Sequence, residues 1–318
     1  MIILYILLAI LGSFVLFFTG GVIYAYNRTY KMPKVRAVYS NEKQKNEIVK
    51  SLVDELYSYP YEEIYIKSYD GTRLFGRYYH VSDGAPMQII FHGYRGFAVK
   101  DACAAAKISR ELLHNMIIVD QRGHGKSGTN TTCFGIKERH DVVAWAWYAY
   151  NRFGDSTPIF LTGASMGGNS VLMAIEQKLP KTVVGVISDG AFSSPIKVIK
   201  YTINANHIPK ILLPYTSTYV AGLLCGFNLA ASSPTKAVKG SDMPILIFHG
   251  TNDSIVPCEM AKEIYDASSS SNKFLYIFEG AGHVLCYATD PEKYTNAFKQ
   301  FVELCLNQKN ILYKGETL

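Results

Sequence analysis

The sequence predicts an α/β fold, a mostly parallel sheet with helices on both faces. Three observations carry this expectation. Short apolar runs recur at Met87–Phe91, Met116–Val119, Ile159–Thr162, Val183–Ser188, Ile245–Phe248 and Phe274–Phe278, the pattern of strands buried on both faces. Segments of helical spacing separate them, as crossover connections between parallel strands require. Polar and glycine motifs follow the C-terminal ends of the runs, where open α/β sheets build their sites. With 318 residues, 48% hydrophobic and 18% charged, the chain can bury a large core, which excludes global disorder.

The elements follow in order. Residues 1–27 carry no charged side chain and are long and apolar enough to cross a hydrocarbon core of about 30 Å. No basic residue precedes the apolar run, as a cleaved secretory signal would require, so a retained, single-pass transmembrane helix is expected. Tyr24 and Tyr26 lie near its end, where aromatic rings favour the interface. Residues 28–60 read as a basic juxtamembrane connector with a short helix at 42–57. The stretch 28–45 holds six basic side chains against one acid, whereas 46–318 holds 26 basic and 25 acidic ones. This flank charge predicts a cytoplasmic body. The near-neutral remainder argues against nucleic-acid binding.

From residue 61 to 318 a single catalytic domain is expected. Alternation on both sides of Asp70-Gly71 in 62–81 predicts a β-hairpin. Helical spacing follows over Asp101–Leu113, Lys137–Asn151, Met166–Lys178, Glu259–Ala267 and Pro291–Leu306. Residues 191–240 break the alternation, and no charge occurs between Lys210 and Lys236. A second membrane span there is opposed by Pro214 and scattered Ser and Thr; a small helical lid fits better. The six cysteines, at 103, 133, 225, 258, 286 and 305, show no metal-ligand spacing, so no zinc site is expected and the thiols read as free and mostly buried.

The chemistry centres on Gly163-Ala164-Ser165-Met166-Gly167, a G-x-S-x-G elbow between a strand and a helix. Small flanking residues permit a sharp turn that exposes the serine hydroxyl, and the helix N-terminus faces the place where an oxyanion forms. Such a motif arises by chance in about one chain of this length in ten, so the partners decide. A serine needs a base, and the base an orienting carboxylate. Asp253 follows the run at Ile245–Phe248, and His283 follows the one at Phe274–Phe278. Serine, acid and histidine thus come in the chain order this elbow uses. Asp189 is a second possible acid. The Tyr94 and Met166 N–H groups are the expected oxyanion donors, and His92 reads as structural. A dinucleotide fingerprint is imitated by Gly123-x-Gly125-x-x-Gly128 with Asp141 beyond, but residues 129–135 separate these glycines from the helix they would have to open.

These motifs resemble those of the α/β-hydrolase superfamily over about residues 60–310. Asp120-Gln121-Arg122-Gly123-His124-Gly125-Lys126-Ser127 is similar to its D-x-R-G-x-G-x-S turn. Ser188–Phe192, Pro244–Pro257 and Gly280–His283 resemble a branch of small, membrane-anchored, serine aminopeptidase-like bacterial hydrolases. The resemblance implies an α/β-hydrolase fold and a serine hydrolase. An acyl-ester or lipid-like substrate, no metal and no cofactor are expected. Peptide-bond cleavage is the alternative reading within the class, and a non-catalytic membrane-anchored scaffold the alternative outside it.

Overall fold

The computed structural model describes residues 1–32, 43–205 and 212–315. Parts of the expected connector (33–42) and lid (206–211), and residues 316–318, lie outside the described residues. In chain order the elements are α1 (Ile2–Ala25), which continues as a π-helical turn at Tyr26–Tyr30, α2 (Lys43–Ser58), β1 (Glu62–Lys67), β2 (Arg73–Tyr79), β3 (Met87–Phe91) and α3 (Ala98–Glu111). Next come β4 (Asn115–Asp120), α4 (Glu138–Phe153), β5 (Ile159–Ala164), α5 (Met166–Ala174), β6 (Val183–Asp189), α6 (Pro195–Ala205) and α7 (Leu212–Leu224). The chain closes with α8 (Pro234–Ala237), β7 (Ile245–Gly250), α9 (Glu259–Ala267), β8 (Lys273–Phe278), α10 (Cys286–Thr289) and α11 (Pro291–Gly315).

The sheet order is β1-β2-β4-β3-β5-β6-β7-β8. β1 and β2 form the expected hairpin, Gly71 supplying the positive φ of its turn. β2 runs antiparallel to β4, and β4 through β8 with β3 are parallel. Period-two alternation sorts the strand residues between two cores. Ile90, Ile118, Phe160, Ile187 and Leu246 face α2, α3 and α11, while Ile89, Ile117, Leu161, Val186 and Ile247 face α4, α5 and α9. Each buried aliphatic side chain contributes about 1.5–3 kcal/mol. Gly76 on β2 lets Trp145 of α4 lie flat on the strand, since a Cβ would sit 2.7 Å from the indole.

The helix expected at 42–57 is present as α2, Lys43–Ser58, and it buries Leu52, Val53 and Leu56 in the core. One boundary differs from the sequence reading. α5 ends at Ala174 rather than Lys178, because Ile175 and Gln177 donate to Leu172 and Ala174, i to i−3 bonds that tighten and close the helix.

A third cluster joins Val22 and Ala25 of α1, and Tyr30, to Val198, Ile199 and Ile203 of α6 and Ala221 of α7. Residues 2–17 of α1 are exposed throughout. Among the described residues one helix is long and apolar enough to cross a membrane, Ile2–Tyr30. Its end is knitted to the body. Thr132 N–H donates to the Tyr30 carbonyl at 2.9 Å, Met32 N–H donates to the Asn130 carbonyl at 2.8 Å, and the Tyr30 hydroxyl donates to the Thr218 carbonyl at 2.7 Å.

The D-x-R-G turn after β4 is a structural knot. Arg122 Nε donates to Asp141 at 2.7 Å, Nη2 to Asp141 at 2.6 Å and Nη1 to Asp70 at 2.9 Å. Burial opposes the guanidinium charge, but the hydrogen bonds it donates to Asp141 and Asp70 outweigh it and push the Arg122 pKa up. This network also removes Asp141 from any ribose-binding role. Arg122→Leu leaves the buried Asp141 carboxylate unpaired and is expected to cost about 3–5 kcal/mol, read as a lowered urea midpoint in detergent. Lys197→Ala, which breaks an exposed pair with Glu263, leaves that midpoint within error.

Candidate active site

Ser165 sits between β5 and α5 with φ 52° and ψ −118°, a conformation unusual for a side chain with a Cβ. Its neighbours make the turn possible. A Cβ on Gly163 would overlap the backbone of Gly167 and Gly168, and one on Gly167 would overlap that of Phe91 and His92. Ser165 N–H donates to the Asp189 carbonyl at 2.7 Å, and the Ser165 carbonyl accepts from Asn169 N–H at 3.0 Å.

The loops after β7 and β8 bring the acid and the imidazole to this serine. His283 Nε2 lies 2.8 Å from Ser165 Oγ, and His283 Nδ1 lies 2.6 Å from Asp253 Oδ2. With Nδ1–H donating to the carboxylate, Nε2 is the acceptor for the serine proton. Asp253 Oδ1 accepts from the N–H groups of Ile255 at 2.9 Å and Val256 at 2.8 Å. Burial opposes the Asp253 charge, but hydrogen bonds from His249 and His283 outweigh it and hold the carboxyl well below the usual range. His249 was not singled out in the sequence. It is fully buried, its Nε2 is 2.9 Å from the Val256 carbonyl and 3.3 Å from Asp253 Oδ2, and it borders the back of the carboxylate. The His-Gly pair closing β7 marked the position, but only the folded loop reveals the contact.

His283 Nδ1 meets Asp253, not Asp189. The Asp189 carboxyl lies nearby but is buried, with Oδ1 lacking a partner among the described residues, and burial raises its pKa to about 6.

The loop after β3 completes the mouth. A Cβ on Gly93 would come within 3.1 Å of Ser165 Cβ, so this loop and the elbow touch. Gly93 N–H donates to Asp101 Oδ2 at 2.8 Å, and Arg95 N–H to His124 Nε2 at 3.1 Å. Tyr94 N–H lies between these two tied groups. Met166 N–H is in the first turn of α5, where N–H groups have no acceptor within the helix. His92 is structural: Nδ1–H donates to the Gly93 carbonyl at 2.8 Å and Nε2 accepts from Gln121 N–H at 3.0 Å. Asp101, partly buried at the foot of the loop, was missed in the sequence because nothing local tells a first-turn helix acid from one that turns inward.

A cavity of about 580 Å³ opens at Ser165 and His283 and continues past Gly93 and Ala104 to Leu52 and Leu285. This size suits a small organic ligand. Among the described residues no His, Cys, Asp or Glu group is arranged to hold a metal ion.

The sheet order and this serine-centred constellation define an α/β hydrolase. Residues 114–309, more than half of the chain, match the model of the prolyl oligopeptidase family, Peptidase_S9, and the chain belongs to that family. Its relatives include the uncharacterized protein YqkD of Bacillus subtilis, 25% identical over 71% of this chain and 74% of that one. Human monoglyceride lipase is 26% identical over 72% of this chain and 86% of the lipase. Among solved structures, the Pyrococcus furiosus esterase Pf2001 superposes with a TM-score of 0.65 at 20% identity, over 87% of this chain and 97% of the esterase. The protein is a serine hydrolase of the esterase and lipase-like kind.

Two buried histidines, His124 beside the loop after β3 and His114 just before β4, are held neutral by burial. Burial, with His92 adding repulsion, lowers the His124 pKa to about 4, and burial lowers His114 to about 4. The unfolded chain binds protons at these residues below about pH 6.5, the native state only near pH 4. Stability therefore falls as pH drops from about 6.5 to 4. Thermal melts across that window are expected to show a falling Tm, with a shallower fall in His114→Gln.

Proposed function

We propose that this hydrolase cleaves an ester bond of a small acyl or lipid-like molecule with Ser165 as nucleophile, His283 as general base and acid, and Asp253 as orienting carboxylate. The observation that carries the reading is the unbroken hydrogen-bond path from Asp253 through His283 to Ser165, 2.6 and 2.8 Å. Serine Oγ attacks the acyl carbon as its proton passes to His283 Nε2. The oxyanion is held by the N–H groups of Tyr94 and Met166. Collapse breaks the bond to the leaving oxygen, which takes the proton from His283. Water then gives a proton to His283 and attacks the acyl-enzyme, and the proton returns to Ser165 as the acid departs. Asp253 keeps the imidazole in the Nδ1–H tautomer and stabilises its charged form. The chemistry as written requires no metal or organic cofactor.

Support for an acyl substrate comes from the cavity, where Ile90, Leu52, Ala104, Leu285 and Ala288 offer apolar walls. Peptide-bond cleavage is the second reading, favoured by the family match itself. We also propose that residues 1–27 anchor the protein in a membrane as a single span, that the basic flank keeps the catalytic domain on the cytoplasmic side, and that α6 to α8 form a lid over the C-terminal edge of the sheet.

Fluorophosphonate labelling of full-length protein in detergent tests the nucleophile. Ser165→Ala is expected to lose the label completely, and Asp253→Asn to lower kcat by about 10³–10⁴-fold. In a p-nitrophenyl ester series, kcat/KM is expected to rise roughly fourfold per methylene until the cavity fills. Ala104→Phe should move the optimum to shorter chains. Faster turnover of aminoacyl p-nitroanilides than of every ester would transfer the assignment to a peptidase.

A further inference from the structure

The end of the N-terminal helix touches the loop assigned to the oxyanion. The Tyr94 hydroxyl donates to the Thr29 carbonyl at 2.9 Å. Arg95 Nη2 donates to the Arg28 carbonyl at 3.0 Å and to the Lys31 carbonyl at 3.3 Å. These acceptors belong to the π-helical turn and its cap, where the last carbonyls of a helix have no partner within it. A guanidinium there also meets the negative end of the helix dipole. Two successive residues of the loop therefore cap the helix, and the helix end in turn holds the loop.

The loop needs such a hold. Arg95 has φ 53°, a left-handed conformation that costs a residue with a Cβ roughly 1 kcal/mol or more. Gly96 N–H closes a turn on the Gly93 carbonyl at 3.0 Å, and Gly93 and Arg95 are tied to Asp101 and His124. All these bonds act on the loop's backbone N–H groups. The Tyr94 and Arg95 side chains add a second hold, on a helix end that is fixed by its pairing with residues 130–132 and by Tyr30 on Thr218. The ring of Tyr94 also packs on Phe134, centroids 5.2 Å apart.

We propose that Tyr94 and Arg95 are positioning residues that lock the oxyanion loop onto residues 28–31, so that the end of the N-terminal helix is a working part of the active site. This rests on the serine-ester reading and extends it: the group acting on substrate is the Tyr94 N–H, and the two side chains act through it. A loop displaced by about 1 Å loses up to 10²-fold in rate, and loss of an oxyanion donor costs about 10²–10³-fold in kcat. Binding of the acyl group deeper in the cavity is untouched.

The test uses full-length protein in detergent, with p-nitrophenyl butyrate turnover normalised to active sites titrated with fluorophosphonate. Arg95→Ala is expected to lower kcat roughly 10–100-fold with KM within about threefold. Tyr94→Phe, which removes one hydroxyl and keeps the ring, should lower kcat less, and it keeps the test open if Arg95→Ala does not fold. The double variant should lose less than the product of the single losses, because both side chains hold one loop. Arg95→Lys, whose ammonium still reaches a carbonyl, should recover part of kcat. A merely structural role lowers Tm and leaves kcat per titrated site unchanged, and that outcome would overturn the inference. Failure of the underlying reading looks different, as wild type that neither turns over the ester nor takes the label.

Discussion

The active site depends on one backbone conformation, that of Ser165. A residue held at φ 52° and ψ −118° stores of order 1–3 kcal/mol, and the strain persists only where the surroundings over-determine it. Here they do. The β5–β6 pairing sets Gly163 against Ser188 and Ala164 against Asp189, and the Ser165 N–H continues that ladder onto the Asp189 carbonyl. On the other side α5 starts at once, so the helix and the strand grip the same residue from opposite directions. The two glycines do not loosen this turn; they let helix, strand and the β3 loop approach closely enough to enforce it.

Once the serine is fixed, the other two groups must arrive from separate loops with sub-ångström agreement. The sheet supplies it through contact between those loops. Thr251 N–H donates to the Phe278 carbonyl and Asn252 N–H to the Ala281 carbonyl, each at 3.0 Å, and Gly250 lies against the backbone of Ala281. The acid loop and the base loop are thus bonded to one another before either meets Ser165. The carboxylate's remaining oxygen is taken by two backbone N–H groups, and Oδ2 faces His283 and His249. A buried anion is costly when unpaired, and the two imidazoles, with the backbone N–H groups, outweigh burial and account for the low Asp253 pKa.

Legibility in the sequence follows the range of the interaction. Strands β3 to β8 were visible because buried parallel strands must be apolar over their whole length. Ser165, Asp253 and His283 were visible as residues because each sits at a strand end beside glycines that local geometry requires. The helix at 42–57 was legible, and α2 spans Lys43–Ser58, but its packing was not: its apolar positions Leu52, Val53 and Leu56 are diluted by lysines and glutamates, so charge pointed to a connector rather than to a helix buried against the core. His249, Asp101 and Arg95 were hidden for another reason. Each acts through a partner that only the folded loops bring to it, and a histidine, an aspartate and an arginine beside loops are ordinary unless the partner is known. The D-x-R-G turn shows the converse case. Its glycines imitated a nucleotide loop, and only the Arg122–Asp141 pair across 19 positions reveals a structural knot.

The two N–H groups proposed as oxyanion donors are held in different ways. Met166 N–H is fixed by the helix it begins, so its direction is a property of the elbow alone. Tyr94 N–H lies in a short loop without helix or strand geometry of its own, between groups tied to the Asp101 carboxylate and to a neutral histidine. A hydrogen-bond donor preorganised for a transition state cannot afford a floppy support, since reorganisation at the moment of reaction would cancel its effect. The acceptors that the Tyr94 and Arg95 side chains reach are backbone carbonyls at the end of the N-terminal helix, where the last carbonyls have no partner within the helix. A guanidinium satisfies two of them at once, and its dispersed charge is stabilised by the helix end. The same contacts therefore finish a helix and brace the loop after β3, and under the proposed mechanism they tie the geometry of the reaction to the segment that leads out of the domain.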